Sequence, residues 1–102
     1  MDGSFKAFVE DQLAGLRGVT FKAMFGGWGI YQGPVFFGIV FRDRFYFKTD
    51  EATRDAYQQQ GMKPFRPSAK QTLRSYYEVP AEVLEDAETL AAWAQAAIRV
   101  RR

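Results

Sequence analysis

The 102-residue sequence contains neither cysteine nor histidine. The first absence removes disulfides, thiolate nucleophiles and cysteine-built zinc or iron–sulfur sites, and is compatible with a reducing cytoplasm. The second cuts deeper. Without imidazole the chain lacks the usual general base near neutral pH, the serine–histidine dyad and the commonest metal ligand. Long apolar runs are also missing. None nears the ~20 residues of a membrane span, and the opening MDGSFKAFVED carries acids where a signal peptide needs a basic start and an uninterrupted apolar stretch. A cytoplasmic chain with no membrane association is expected.

Charge of one sign is scarce overall. Fourteen Lys and Arg stand against twelve Asp and Glu, a formal +2, with a pI near 9.0. That excess is too small to predict nucleic-acid binding by itself. Two local clusters depart from the balance: Lys63, Arg66, Lys70 and Arg74 follow one another with no intervening acid, and the chain ends on Arg99, Arg101 and Arg102.

What the chain has is aromatic bulk. Aromatics make up 17% of it, ten of them phenylalanine, and the length suffices to bury roughly two-thirds of the unfolded surface. One domain spanning residues 1–102 is expected. Phe5, Phe8, Val9, Leu13 and Leu16 recur at helical spacing behind Ser4 as N-cap, and Gly15 to Gly18 close the segment. Val19 to Phe25 alternates as a strand, Gly26-Gly27 mark a bulge or tight bend, and Trp28 to Tyr31 form a short strand. Gln32-Gly33 then read as a two-residue turn, with Pro34 opening the next strand. In that strand alternation puts Val35, Phe37, Ile39 and Phe41 on one face and Phe36, Gly38 and Val40 on the other. Apolarity on both faces implies a central strand, or a second face covered by a loop, a helix or another subunit.

After a turn at Arg42-Asp43, Phe45 and Phe47 continue the buried face while Tyr46 and Lys48 point the other way. Thr49 or Asp50 caps a helix to about Gln60, ended by Gly61. Met62 to Gln71, with two prolines, reads as an irregular segment anchored by Phe65. Thr72 to Val79 reads as a strand, Ala81 to Leu84 as a short helix, and Asp86 as the start of a final helix carrying Leu90, Trp93, Ala94, Ala97 and Ile98 on one face. The predicted fold is α+β: an antiparallel meander sheet of four to five strands, packed by an N-terminal helix and C-terminal helices.

The candidate chemistry is sparse. Gly26, Gly27 and Gly29 fit neither the dinucleotide fingerprint nor a phosphate loop, because a strand follows where a helix is required. Glu82, Glu85, Asp86 and Glu88 stand at helix starts, where acids cap and complement dipoles. No catalytic residue, cofactor or metal site is assigned, and a non-enzymatic role is expected. Three surfaces remain. Trp28, Tyr46, Lys48, Arg74, Tyr76 and Tyr77 could line a face for an acidic or planar ligand or a protein partner. Lys63, Arg66 and Lys70 could contact nucleic-acid phosphates. The two-faced strand Val35 to Phe41 could serve a homodimer.

Several segments taken together, Met24-Phe25-Gly26-Gly27-Trp28-Gly29-Ile30-Tyr31, Phe45-Tyr46-Phe47-Lys48-Thr49-Asp50, Gly61-Met62 with Phe65, Ser75-Tyr76-Tyr77-Glu78-Val79-Pro80, and Leu84-Glu85-Asp86 before Trp93, resemble the N-terminal domain of the TfoX/Sxy family. The resemblance covers nearly the whole chain. It implies an α+β domain and a link to bacterial regulators of natural competence, which act as coactivators with the cyclic-AMP receptor protein at certain promoters. It supplies no catalytic residues. Full-length members carry a second, helical C-terminal domain, so a chain that stops at Arg102 is expected to be a stand-alone copy of the first. The leading expectation is a regulatory or interaction domain working through protein contacts, transcription machinery among them. The alternatives are a small-ligand-binding module and direct nucleic-acid binding through Lys63 to Arg74.

Overall fold

A computed structural model describes residues 4–24 and 26–100. The expected place of Phe25 at the end of the first strand, the terminal Arg101 and Arg102, and the first three residues lie outside the described set. Helix α1 (Ser4–Gln12) precedes strands β1 (Val19–Met24), β2 (Gly27–Gln32), β3 (Val35–Phe41) and β4 (Arg44–Lys48). Helix α2 (Glu51–Gln59), strands β5 (Pro64–Ser68) and β6 (Gln71–Glu78), and helices α3 (Ala81–Leu84) and α4 (Ala87–Ile98) follow. The α+β class is as predicted, but the sheet has six strands, in the order β1-β2-β3-β4-β6-β5, all neighbours antiparallel.

The additional strand comes from the segment expected to be irregular. Pro64 and Pro67 sit in β5, which has a partner on one side only, so their missing N–H groups remove no interior ladder bonds. Pairing also moves the turn before β3. Gln32 pairs with Val35, so the turn is Gly33-Pro34, with Gly33 at φ 57°, and Pro34 does not open the strand. Helix α1 stops at Gln12, earlier than the apolar spacing suggests. Phe8 from that stripe is exposed, while the Gln12 side chain donates to the Leu84 carbonyl at 2.8 Å.

The faces of β3 are the main correction. Ile30 pairs with Gly38 but Tyr31 pairs with Phe36, which leaves Phe37 as one extra residue on β3. A bulge of this kind reverses the alternation. Phe37 and Val40 therefore join the helix-side core with Val9, Ile30, Phe45, Phe47, Leu90 and Ala94. Phe36, Ile39 and Phe41 belong to a second core with Tyr46, Phe65, Leu73 and Tyr76. Phe45 and Phe47 do face opposite to Tyr46, as the alternation in β4 predicts.

The second face is covered by the chain's own hairpin. β6 meets β4 only through Tyr76, Tyr77 and Glu78, and its earlier residues pair with β5 instead. Phe65 of β5 is thereby carried over the face, with its ring centre 4.7 Å from that of Tyr46 and 5.3 Å from that of Phe41. It is fully buried, as its predicted anchoring role requires.

Asp50 starts α2 with a reciprocal cap. Its carboxylate accepts from the Thr53 N–H at 2.9 Å, and the Thr53 hydroxyl accepts from the Asp50 N–H at 3.0 Å. The Thr53 N–H is the main cause holding the Asp50 carboxyl below its ordinary pKa, against some opposing desolvation. The folded form thus favours the charged carboxylate: its contribution is full above the ordinary carboxylate pKa and fades as pH falls through the lower folded value. Asp50→Ala should therefore lower the urea midpoint near neutral pH, and the gap to the parent should narrow on acidification to about pH 3. A gap that is constant with pH would show that the carboxylate's charge is not what caps the helix.

Candidate partner-binding site

Strand alternation and the β4–β6 pairing build the site. Arg44 and Tyr46 lie two apart on β4 and so share a face, and Tyr46 pairs with Glu78 of β6. The Arg44 guanidinium donates to both Glu78 carboxylate oxygens, at 3.0 and 3.1 Å. The chain leaving α2 brings Lys63 alongside, since the Glu78 N–H donates to the Lys63 carbonyl at 3.0 Å. The result is a cleft of about 390 Å³ lined by Arg44, Tyr46, Lys63, Pro64, Arg66 and Glu78. Burial raises the pKa of the Tyr46 hydroxyl; Glu78 adds to the rise and Arg44 opposes it. Tyr46 is therefore a neutral hydroxyl at physiological pH, set among cations.

Pro64 is also a wall of a second cleft, lined by Arg54, Gln58, Thr72, Arg74 and Tyr77. There the Gln58 amide donates to the Tyr77 hydroxyl at 3.2 Å and the Arg54 Nε–H to the Thr49 hydroxyl at 3.2 Å. Among the described residues lining the two clefts, Glu78 is the one carboxylate, and Arg44 already engages it. Such a surface suits an anion that can meet several guanidinium and ammonium groups at once.

Of the residues expected from sequence, Tyr46, Lys63 and Arg66 come together in the first cleft, and Arg74 with Tyr77 in the second. Lys70 lies in the β5–β6 turn of the same hairpin. The others are elsewhere. Tyr76 is buried in the second core, its ring centre 5.3 Å from that of Phe36. Lys48 borders a groove between α2 and α4, beside Ala52, Ala56, Trp93 and Ala96. Trp28 packs on the helix-side core, across the sheet from Tyr46. Arg44, Arg54 and Glu78 are the contributors that sequence reasoning did not single out. The signal for Arg44 was available: it sits two residues before Tyr46 in an alternating strand.

With this geometry in view, comparison with known families is informative: the model of the TfoX N-terminal domain matches residues 11–100. The chain belongs to that family. The match takes in the glycine hairpin, all six strands and α4, so the basic clefts lie inside the family domain. No curated relative matches the chain at a significant level. Among the described residues no helix is long and apolar enough to cross a membrane.

Proposed function

We propose that this TfoX N-terminal domain is a non-enzymatic regulatory module that docks an acidic surface of a protein partner through the clefts on either side of Pro64. The observation that carries this reading is the concentration of Arg44, Lys63, Arg66, Arg54 and Arg74 around one hairpin, with Glu78 as the lone carboxylate among the described lining residues. The family's link to competence regulation points to transcription machinery as the partner, with the domain acting as a coactivator. The expected result is that RNA polymerase or a cyclic-AMP receptor protein is retained by the immobilised wild-type chain. Reversing charge in Lys63→Glu/Arg66→Glu should weaken that binding by roughly tenfold or more at low salt. Equal retention by the variant, or retention of neither protein, would count against the reading.

A second reading rests on the same hairpin. Lys63, Arg66 and Lys70 could follow a nucleic-acid backbone, and affinity would then fall steeply with salt. Fluorescence anisotropy with a labelled duplex at two salt concentrations separates the two: no binding of duplex at tens of micromolar in low salt leaves the protein partner as the reading.

A further inference from the structure

The glycine-rich hairpin that marks the family contributes nothing to the basic clefts, yet it forms part of a different cavity. Gly26, at φ 78°, turns the chain between β1 and β2. Gly27 follows it against β3 so closely that a Cβ there would overlap the Val40 carbonyl oxygen. This pairing seats Trp28 beside Val40. The β3–β4 turn approaches the same place, and both its central residues, Arg42 and Asp43, take positive φ (52° and 61°). A two-residue hairpin turn of that form usually carries asparagine, aspartate or glycine, which makes Arg42 the unusual occupant of this one.

The N-terminal turn of α1 closes the remaining side. The cavity holds about 360 Å³, with Phe5, Met24, Trp28 and Val40 as apolar walls and Lys6 and Arg42 as cations. Among the described residues lining it, Asp43 is the one carboxylate. The Lys6 ammonium sits 4.4 Å from the centre of the Trp28 ring and 3.0 Å from the Glu10 carboxylate. The Arg42 guanidinium lies 5.0 Å from the Phe41 ring centre. A concave apolar chamber of this size with a few charged groups at its edge is the usual form of a small-molecule site. A flat apolar body would fit the Trp28 wall, and a single anionic end would meet Lys6 and Arg42.

From these features we infer that the cavity between α1, the glycine hairpin and the Arg42-Asp43 turn binds a small aromatic carboxylate. This site is separate from the basic clefts, and its occupancy does not depend on partner docking.

The test is a titration of the full ¹⁵N-labelled chain with 2-naphthoate and, in parallel, with neutral 2-naphthylmethanol, followed by the two indole N–H resonances. Naphthoate should shift the Trp28 signal saturably and leave Trp93, which borders the α2–α4 groove, unmoved. Lys6→Gln and Arg42→Gln should each weaken naphthoate binding roughly fivefold and leave the alcohol unaffected. Ala23→Phe, which fills the chamber from its exposed wall, should abolish binding in a chain whose remaining spectrum is native. The inference is overturned if Trp28 does not move at millimolar naphthoate, if the alcohol binds as tightly as the acid, or if both glutamine variants bind like wild type.

Discussion

Phe65→Ala is expected to lower the free energy of unfolding by about 4 kcal/mol, the middle of the range for deleting a buried aromatic. Phe65 is fully buried although it belongs to an edge strand. Its ring meets Tyr46 from β4 and Phe41 from β3, two strands that β5 does not pair with. Truncation would leave a void that the surrounding rings cannot fill without moving the whole hairpin. It would also expose Ile39 and Tyr46 on the second face. Urea denaturation measures the loss, and hydrogen exchange should show β5 and β6 losing protection before β2 and β3. Phe65→Leu keeps most of the volume and should cost about 1.5 kcal/mol or less. A loss below about 1 kcal/mol for the alanine variant would mean that the hairpin is not what holds this core.

Gly27→Ala is the second large effect, at about 3 kcal/mol. The obstacle is main chain, since the new methyl group would occupy the space of the Val40 carbonyl and crowd Phe41. A flexible side chain could swing aside, but a carbonyl in a paired strand cannot move without opening the β2–β3 ladder. Gly15 supplies the control. It has open space around it and no positive φ, so Gly15→Ala should be near neutral. Comparing the thermal unfolding of the two variants separates backbone crowding from a general effect of replacing glycine. A Gly27→Ala protein as stable as the Gly15→Ala protein would contradict the close approach of β2 to β3.

Much of the fold was legible because single positions carried strong local physics. Asp50 before an acidic helix start, Gly61 after its end, and the Phe45-Tyr46-Phe47 alternation each fixed an element or a face. β5 was not legible. Pro64, Arg66 and Pro67 are residues of loops, and only its position at the sheet edge makes them acceptable in a strand. The bulge in β3 was hidden for a different reason. Alternation does set Phe36 and Phe37 on opposite faces, but in a run that is apolar throughout nothing marks the extra residue that shifts Ile39, Val40 and Phe41 to the other phase. The site was half visible: the cations Lys63 and Arg66 stood out as a run, but their meeting with Tyr46 and Arg44 depends on β6 lying between β4 and β5. Trp28 and Tyr76 were grouped with them by chemistry alone: Trp28 lies across the sheet from that cleft, and Tyr76 is buried in the same core as Tyr46 without lining it.

The extra residue in β3 also divides that strand into two reading frames. Up to Phe36 one set of alternate positions faces the β5–β6 hairpin, and beyond Phe37 the opposite set does. A deletion of one residue at this point would leave a strand of ordinary composition and unbroken alternation, one that any pattern-based reading would accept. Such a strand would still send Phe36, Ile39 and Phe41 to the hairpin side and Val40 to the helix side; it is the full-length strand that, without its bulge, would run in a single phase and turn one half away from the core that now receives it. The two cores of this sheet thus draw on both halves of β3 because the bulge absorbs one residue, not because the side chains on either side of it differ in chemical character.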